Sequence, residues 1–347
     1  MVAVLRLCVV VLAVGGLSNA SDPSAAPAQL PEPFSRYLNT VVKPSGAQLR
    51  QLLASKPITK LLDTDASIEI AVFGAIWVQA PSSRYVDALR NIETFEREAG
   101  FRVTKRISTP PRLNDFSELR LPAEDVADLA DCRVGDCIVK LGQQSIDEIR
   151  RRVDFRRPSA KQDVEALFRE RMFEYVNGYL ARGNAGLAVY RDASRPTFVA
   201  HEFTSMIERM PALADYLPQI RQFLLEYPNV VLPNATDFLY WQEVDLGLRP
   251  TIRMSHLLVR EQPGEVVVAS KMLYASHYFW TGLELRVLLA DPARGPGFWF
   301  LTVNRSRADG LSGFTGFFVR SRVRRQVEQG LLSALASIKT RMESGSH

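Results

Sequence analysis

The runs TIRMSHLLVR (251–260), VVVASKMLYAS (266–276), YFWTGLELRVLLA (278–290) and FWFLTVNRS (298–306) decide the fold. Each has the β-branched and aromatic content of a strand. Behind them Val319, Val323, Val327, Leu331, Leu335, Ile338 and Met342 recur at helical spacing and mark one long amphipathic helix ending near Met342. Four successive strands and a closing helix predict an antiparallel meander curved around that helix. Such an arrangement can enclose an apolar pocket.

Strand alternation sorts the meander into faces. It places Ile252, Met254, His256 and Leu258 together on the first run. On the second, Val266, Val268, Ser270, Met272 and Tyr274 share one face, while Lys271, Leu273, Ala275 and His277 share the other. His256 is thus expected among apolar neighbours, and His277 lies in the aromatic stretch from Tyr274 to Trp280. A buried neutral imidazole can act as acid, base or metal ligand, or be a core residue with both nitrogens hydrogen-bonded. Tyr240, Trp241, Tyr274, Trp280 and Trp299 form an aromatic concentration that can line a cavity or fill a core. Arg305 can meet a ligand carboxylate or head group, or a surface carboxylate. The candidate ligand-binding set is therefore Tyr240, Trp241, His256, Tyr274, His277, Trp280, Trp299 and Arg305. Phe317, Phe318, Arg320, Arg322, Arg324 and Arg325 crowd the start of the last helix. They read either as a docking edge for anionic membrane or as the solvated face of a core helix.

Upstream, residues 45–55 read as a short helix, 67–79 as a strand, 82–98 as a helix, and 101–107 and 116–121 as short strands. Residues 123–130 read as helix and 137–141 as strand. The middle then changes character. Helical patterns at 163–181, 202–209 and 213–226, punctuated by Pro211, Pro218 and Pro228, predict a predominantly helical insertion over about 145–235. A strand at 237–245 leads back into the meander. Sheet elements, helices, sheet elements and a closing helix make an α+β fold rather than an alternating parallel one.

The N-terminus carries Arg6, an apolar stretch over 7–17 and Ser18-Asn19-Ala20, the pattern of a signal peptide cleaved after Ala20. A retained anchor is the competing reading, although the apolar stretch is short for a membrane span. Residues 21–44 are expected as a flexible lead-in, given the Ala, Pro and Ser content of its first part, with 45–347 as the folded domain. Cys8 belongs to the leader. Cys132 and Cys137 remain, and in an oxidising compartment they read as one local disulfide, with Gly135 permitting the tight turn. The chain has 347 residues, 46% of them hydrophobic and 23% charged, which suits a globular protein. Its formal charge of +5 is spread without a Lys/Arg block, so no nucleic-acid partner is expected. No His-Glu-x-x-His pattern follows His201, and no nucleophile elbow, phosphate loop or carboxylate pair stands out. Neither a metal nor a cofactor is expected.

The strand, Ala80-Pro81 boundary and helix within 72–95, taken with the meander and last helix, resemble the START/polyketide-cyclase-like superfamily. The resemblance covers the sheet elements on either side of the helical insertion, which departs from it, and it carries no invariant motif. It implies a helix-grip fold, a curved antiparallel sheet gripping the C-terminal helix, with a lipid or other hydrophobic small molecule between them. Residues 131–141, 240–256 and 269–279 also look like a group of uncharacterised exported bacterial proteins, which implies a periplasmic or extracellular location and no particular activity. The expected function is binding of a hydrophobic ligand in the helix-grip cavity. Two rivals stay open. One is an enzyme of cyclase, hydrolase or isomerase type using His256, His277 and Tyr274 in the same cavity. The other is an envelope interaction protein whose core is filled by its own side chains.

Overall fold

The computed structural model describes residues 30–98, 101–245, 249–311 and 313–345, with Glu98 and residues 313–319 described by their backbone alone. The leader, its cleavage site and the side chains of Phe317 and Phe318 lie outside the described residues. The described strands are β1 (Ile58–Leu61), β2 (Glu69–Val78), β3 (Val103–Arg106), β4 (Val189–Tyr190), β5 (Thr197–Phe198), β6 (Ala235–Val244), β7 (Thr251–Gln262), β8 (Glu265–Ala275), β9 (Phe279–Ala290) and β10 (Phe298–Ala308). β4 and β5 pair alone; the other eight form a curved, unclosed antiparallel sheet ordered β1-β2-β10-β9-β8-β7-β6-β3. The predicted meander supplies its centre, and the N-terminal strands extend it at both edges. Strands β2, β7 and β8 are buried along almost their whole length. A sheet solvated on one side would show alternation there, so both faces are covered.

The helices are α1 (Glu32–Tyr37), α2 (Gly46–Leu53), α3 (Ser82–Arg90), α4 (Ile92–Glu98), α5 (Ala123–Leu129), α6 (Gln143–Arg152), α7 (Ala160–Arg182), α8 (Val199–Glu208), α9 (Pro211–Tyr216), α10 (Pro218–Glu226) and α11 (Gly313–Ser344). α3, α4 and the C-terminal half of α11 cover one face: Tyr85, Leu89, Phe95, Leu335 and Met342 pack on Ile76, Val78 and Phe300. Gly74 lets α11 come close. A Cβ there would lie 2.9 Å from side-chain carbons of both Leu331 and Leu335. The opposite face is covered by α1, α8, α9 and α10 over β2, β9 and β10, and by α5, α6 and α7 near one end of β6, β7 and β8.

Several expectations are corrected. Residues 32–42, expected within a flexible lead-in, form α1 and a π-helical continuation, Leu38–Val42. Phe34, Leu38 and Val42 recur every fourth residue and are each 2% exposed, so an apolar helical stripe anchors this segment. Residues 116–121 follow a short 3₁₀ turn, Leu113–Phe116, and make no strand. Residues 137–141 belong to no strand and are held by isolated backbone bonds, Cys137 N–H to Asp192 O, Lys140 N–H to Ser276 O and Arg191 N–H to Leu141 O. The disulfide between Cys132 and Cys137 is present. Strict alternation also fails along β8. Met254 pairs with Tyr274 but Ser255 with Met272, so Leu273 is an extra residue in a β-bulge. Tyr274 therefore packs with Phe168, Tyr175 and Tyr190 on the insertion side, not beside Val268.

Candidate functional site

On the sheet face opposite α11, a cavity of about 350 Å³ opens between α1, α9 and the sheet. Its floor follows from alternation. Leu285, Val287 and Leu289 of β9 point one way, and Leu301 and Val303 of β10 pair beside them. Met210, Leu213 and Leu217 supply a wall, while Phe34 and Tyr37 of α1 form a roof. Polar groups lie at the rim: Glu32, Arg36, Asp215 and Glu265. Glu32 pairs with Arg36 one helical turn away, and Glu265 accepts from Arg260 at 3.1 Å. Tyr37 and Tyr216 meet edge-on at 5.9 Å. Burial pushes the Tyr37 hydroxyl up to about 12, with Arg305 opposing it, so this phenol stays neutral and can donate a hydrogen bond. Apolar walls with few polar groups at the mouth are the lining that accepts an apolar molecule with one polar end.

None of the eight predicted residues lines this cavity. Trp299 stands behind one that does, packing on Phe34 at 5.6 Å and donating to Asp291 at 3.0 Å. Arg305 is buried in a structural ion network with Glu69 and donates to Arg209 O at 3.3 Å. Tyr240 lies on the α11 side, bonded to Ser270 at 3.0 Å. Trp241 lies on the other side, donating to Asp115 O at 2.9 Å. Tyr274 donates to Lys140 O at 2.9 Å, and Trp280 donates to Asp309 near the surface. The aromatic residues are dispersed, each with its polar atom satisfied.

The two histidines do not meet. His277 faces Asp125 at 2.8 Å, and Asp125 in turn receives Arg249 at 3.2 Å. His256 bonds Asp237 at 2.8 Å and Tyr179 at 2.9 Å, under the ring of Tyr227. Burial pulls the His256 imidazole down, and Asp237 opposes that shift. Across the ladder from His256 stands Lys271, 1% exposed. Its ammonium binds Asn184 and Leu224 O and lies 4.4 Å from the Phe203 ring centroid. Burial pulls it down to about 7. This Lys–His–Tyr–Asp cluster is the grouping that alternation alone missed; a lysine inside VVVASKMLYA was its one local signal. Neither histidine nor Tyr274 borders the cavity, so the acid–base set expected from the sequence is not assembled there.

Among the described residues, no group of three or more His, Cys, Asp and Glu side chains is placed to hold a metal ion, and no helix is long and apolar enough to cross a membrane. The chain matches no protein-family model and no curated protein.

Proposed function

We propose that this is an exported protein that carries a hydrophobic or lipid-like molecule in the cavity between α1, α9 and the sheet. The observation that carries the reading is the about 350 Å³ of apolar-walled space with charge confined to its rim. The signal-peptide pattern and the Cys132–Cys137 disulfide support an oxidising compartment, the periplasm or the exterior. The curved sheet and C-terminal helix support a helix-grip relationship, although the guest would sit across the sheet from that helix. Arg322 and Arg325 are exposed on α11 and Arg324 is half-buried, which supports contact with an anionic membrane as the place where the guest is collected.

The test has two arms. Protein secreted with its own leader is examined by native mass spectrometry and solvent extraction for a co-purifying apolar molecule. Stripped protein is titrated with the neutral fluorophore Nile red, alongside the cavity-filling variant Leu213→Trp. Saturable fluorescence that Leu213→Trp abolishes, with circular dichroism unchanged, is expected. An empty extract together with non-saturating Nile red defeats the proposal.

A further inference from the structure

The mouth of the apolar cavity favours one sign of charge. Four charged side chains stand there: Glu32, Arg36, Asp215 and Glu265. Arg36 and Glu32 lie one turn apart on α1, and the guanidinium holds the carboxylate through Nε at 2.8 Å and through Nη2. Glu265 accepts from Arg260 at 3.1 Å, and Arg260 is buried with its other amino group on Gln219 at 2.9 Å. Each pair is neutral as a unit. Asp215, on α9, is left over: among the described residues its carboxylate has neither a hydrogen bond nor a counter-ion. Arg305 acts on Tyr37 from the sheet, but it is buried and held by Glu69. The mouth therefore carries one uncompensated negative charge beside an apolar interior.

Aromatic rings border the same space. Tyr37 lies 5.9 Å from Phe73 and 5.9 Å from Tyr216, with the two tyrosine rings at right angles, and all three line the cavity. Among the described residues neither tyrosine hydroxyl makes a hydrogen bond. Burial keeps the Tyr37 phenol neutral, so its oxygen can accept as well as donate. Ring faces attract cations through their quadrupoles and do not attract anions. The head groups open to a single-chain guest then separate by charge. A carboxylate would face Asp215, while Arg36 is already committed to Glu32. A hydroxyl would satisfy a phenol and leave Asp215 uncompensated. An ammonium answers every group at once: its N–H donors meet the carboxylate and the phenol oxygens, and its charge meets Asp215 and the ring faces.

We infer, on the reading that this cavity carries an apolar molecule, that its guest is a single-chain amphiphile with a cationic amine head. The chain lies against Leu213, Leu285 and Val287, and the ammonium sits at Asp215, Tyr37 and Tyr216. Dodecylamine, dodecanol and dodecanoate, equal in chain length and each below its micelle concentration, compete with Nile red on the stripped mature protein at neutral pH. Dodecylamine is expected to bind about tenfold more tightly than dodecanoate, the scale of one charge-assisted hydrogen bond. Asp215→Asn should remove that preference and Asp215→Glu should keep it, each ratio being taken against the variant's own Nile red affinity. Asp215 is exposed, so circular dichroism should be unchanged in both. Dodecanol or dodecanoate binding as tightly as the amine, with Nile red still saturable, overturns the cationic head and leaves the cavity reading standing. An amine preference that Asp215→Asn leaves intact, or that Asp215→Glu removes, does the same. Nile red that fails to saturate overturns both.

Discussion

The two faces of the central sheet differ more than two halves of one core usually do. On one, β9 presents Leu285, Val287 and Leu289 to an apolar cavity roofed by α1. On the other, the same strand presents Glu284, Arg286 and Leu288; Leu288 and Arg286 are buried, and the Glu284 side chain stays 34% exposed. Period-two alternation lets a single strand serve both chemistries without compromise, because neighbouring side chains never share a compartment. The covers differ as well. The insertion face is tied to the sheet by buried ions, whereas the α11 face is tied by close apolar contact at Gly74. The ionic attachment should fail more severely on mutation, since each charge left behind is buried.

Glu69→Leu tests that contrast hardest. Glu69 is 1% exposed between Arg305 and Arg307, and Arg307 continues to Glu202 at 2.8 Å and Ser205 at 3.2 Å on α8. Removing the shared carboxylate leaves two desolvated guanidiniums short of a counter-charge, at a cost of about 3–5 kcal/mol. The midpoint of urea unfolding measures it, and a loss no larger than that of an exposed ion pair would remove the contrast. On the opposite face, Gly74→Val puts a branched side chain where a single Cβ already lies 2.9 Å from Leu331 and Leu335. Lifting α11 should cost about 2–3 kcal/mol. Because the apolar cavity lies across the sheet, Nile red binding should survive. Concurrent loss of binding in a still-folded variant would show that the two faces are not independent.

Much of this architecture was legible in local sequence. The four runs from Thr251 onward are strands, the last stripe is a helix, and the two cysteines are bonded, because periodicity and loop closure are short-range properties. The Leu273 bulge was not legible. Within KMLYA every residue is buried in a core on one side or the other, so a shift of phase leaves no polar residue out of place. Residues 32–42 were misread because the Pro and Ala content of residues 21–33 was extended over the Phe34, Leu38, Val42 stripe. The cavity was beyond local reading altogether. Its walls come from α1, the insertion and the meander, brought together only by the fold. The same holds for Glu69, whose partners lie more than two hundred residues away.

Lys271 offers the gentlest probe, because pH rather than truncation perturbs it. The folded protein holds its ammonium down to about 7, against 10.5 when exposed, and burial is the cause. Between those values the unfolded chain binds a proton that the folded chain does not, so stability rises as pH rises. His256, facing Lys271 across the ladder, is also pulled down by burial and by the lysine's charge. Below its ordinary 6.5 the unfolded chain again protonates first, so acid destabilises in the same sense. One proton sets the upper limit of the slope, ~1.4 kcal/mol per pH unit between about pH 7 and about pH 10. Lys271→Met keeps the stem against Phe203 and Tyr179 and removes the charge. The variant should be more stable than the parent near neutrality, and the advantage should shrink steadily as pH rises. Parallel stability curves for the two proteins would mean that the ammonium is fully compensated by Asn184 and Leu224 O. In that case the insertion face would owe its grip to packing and to Glu69 alone.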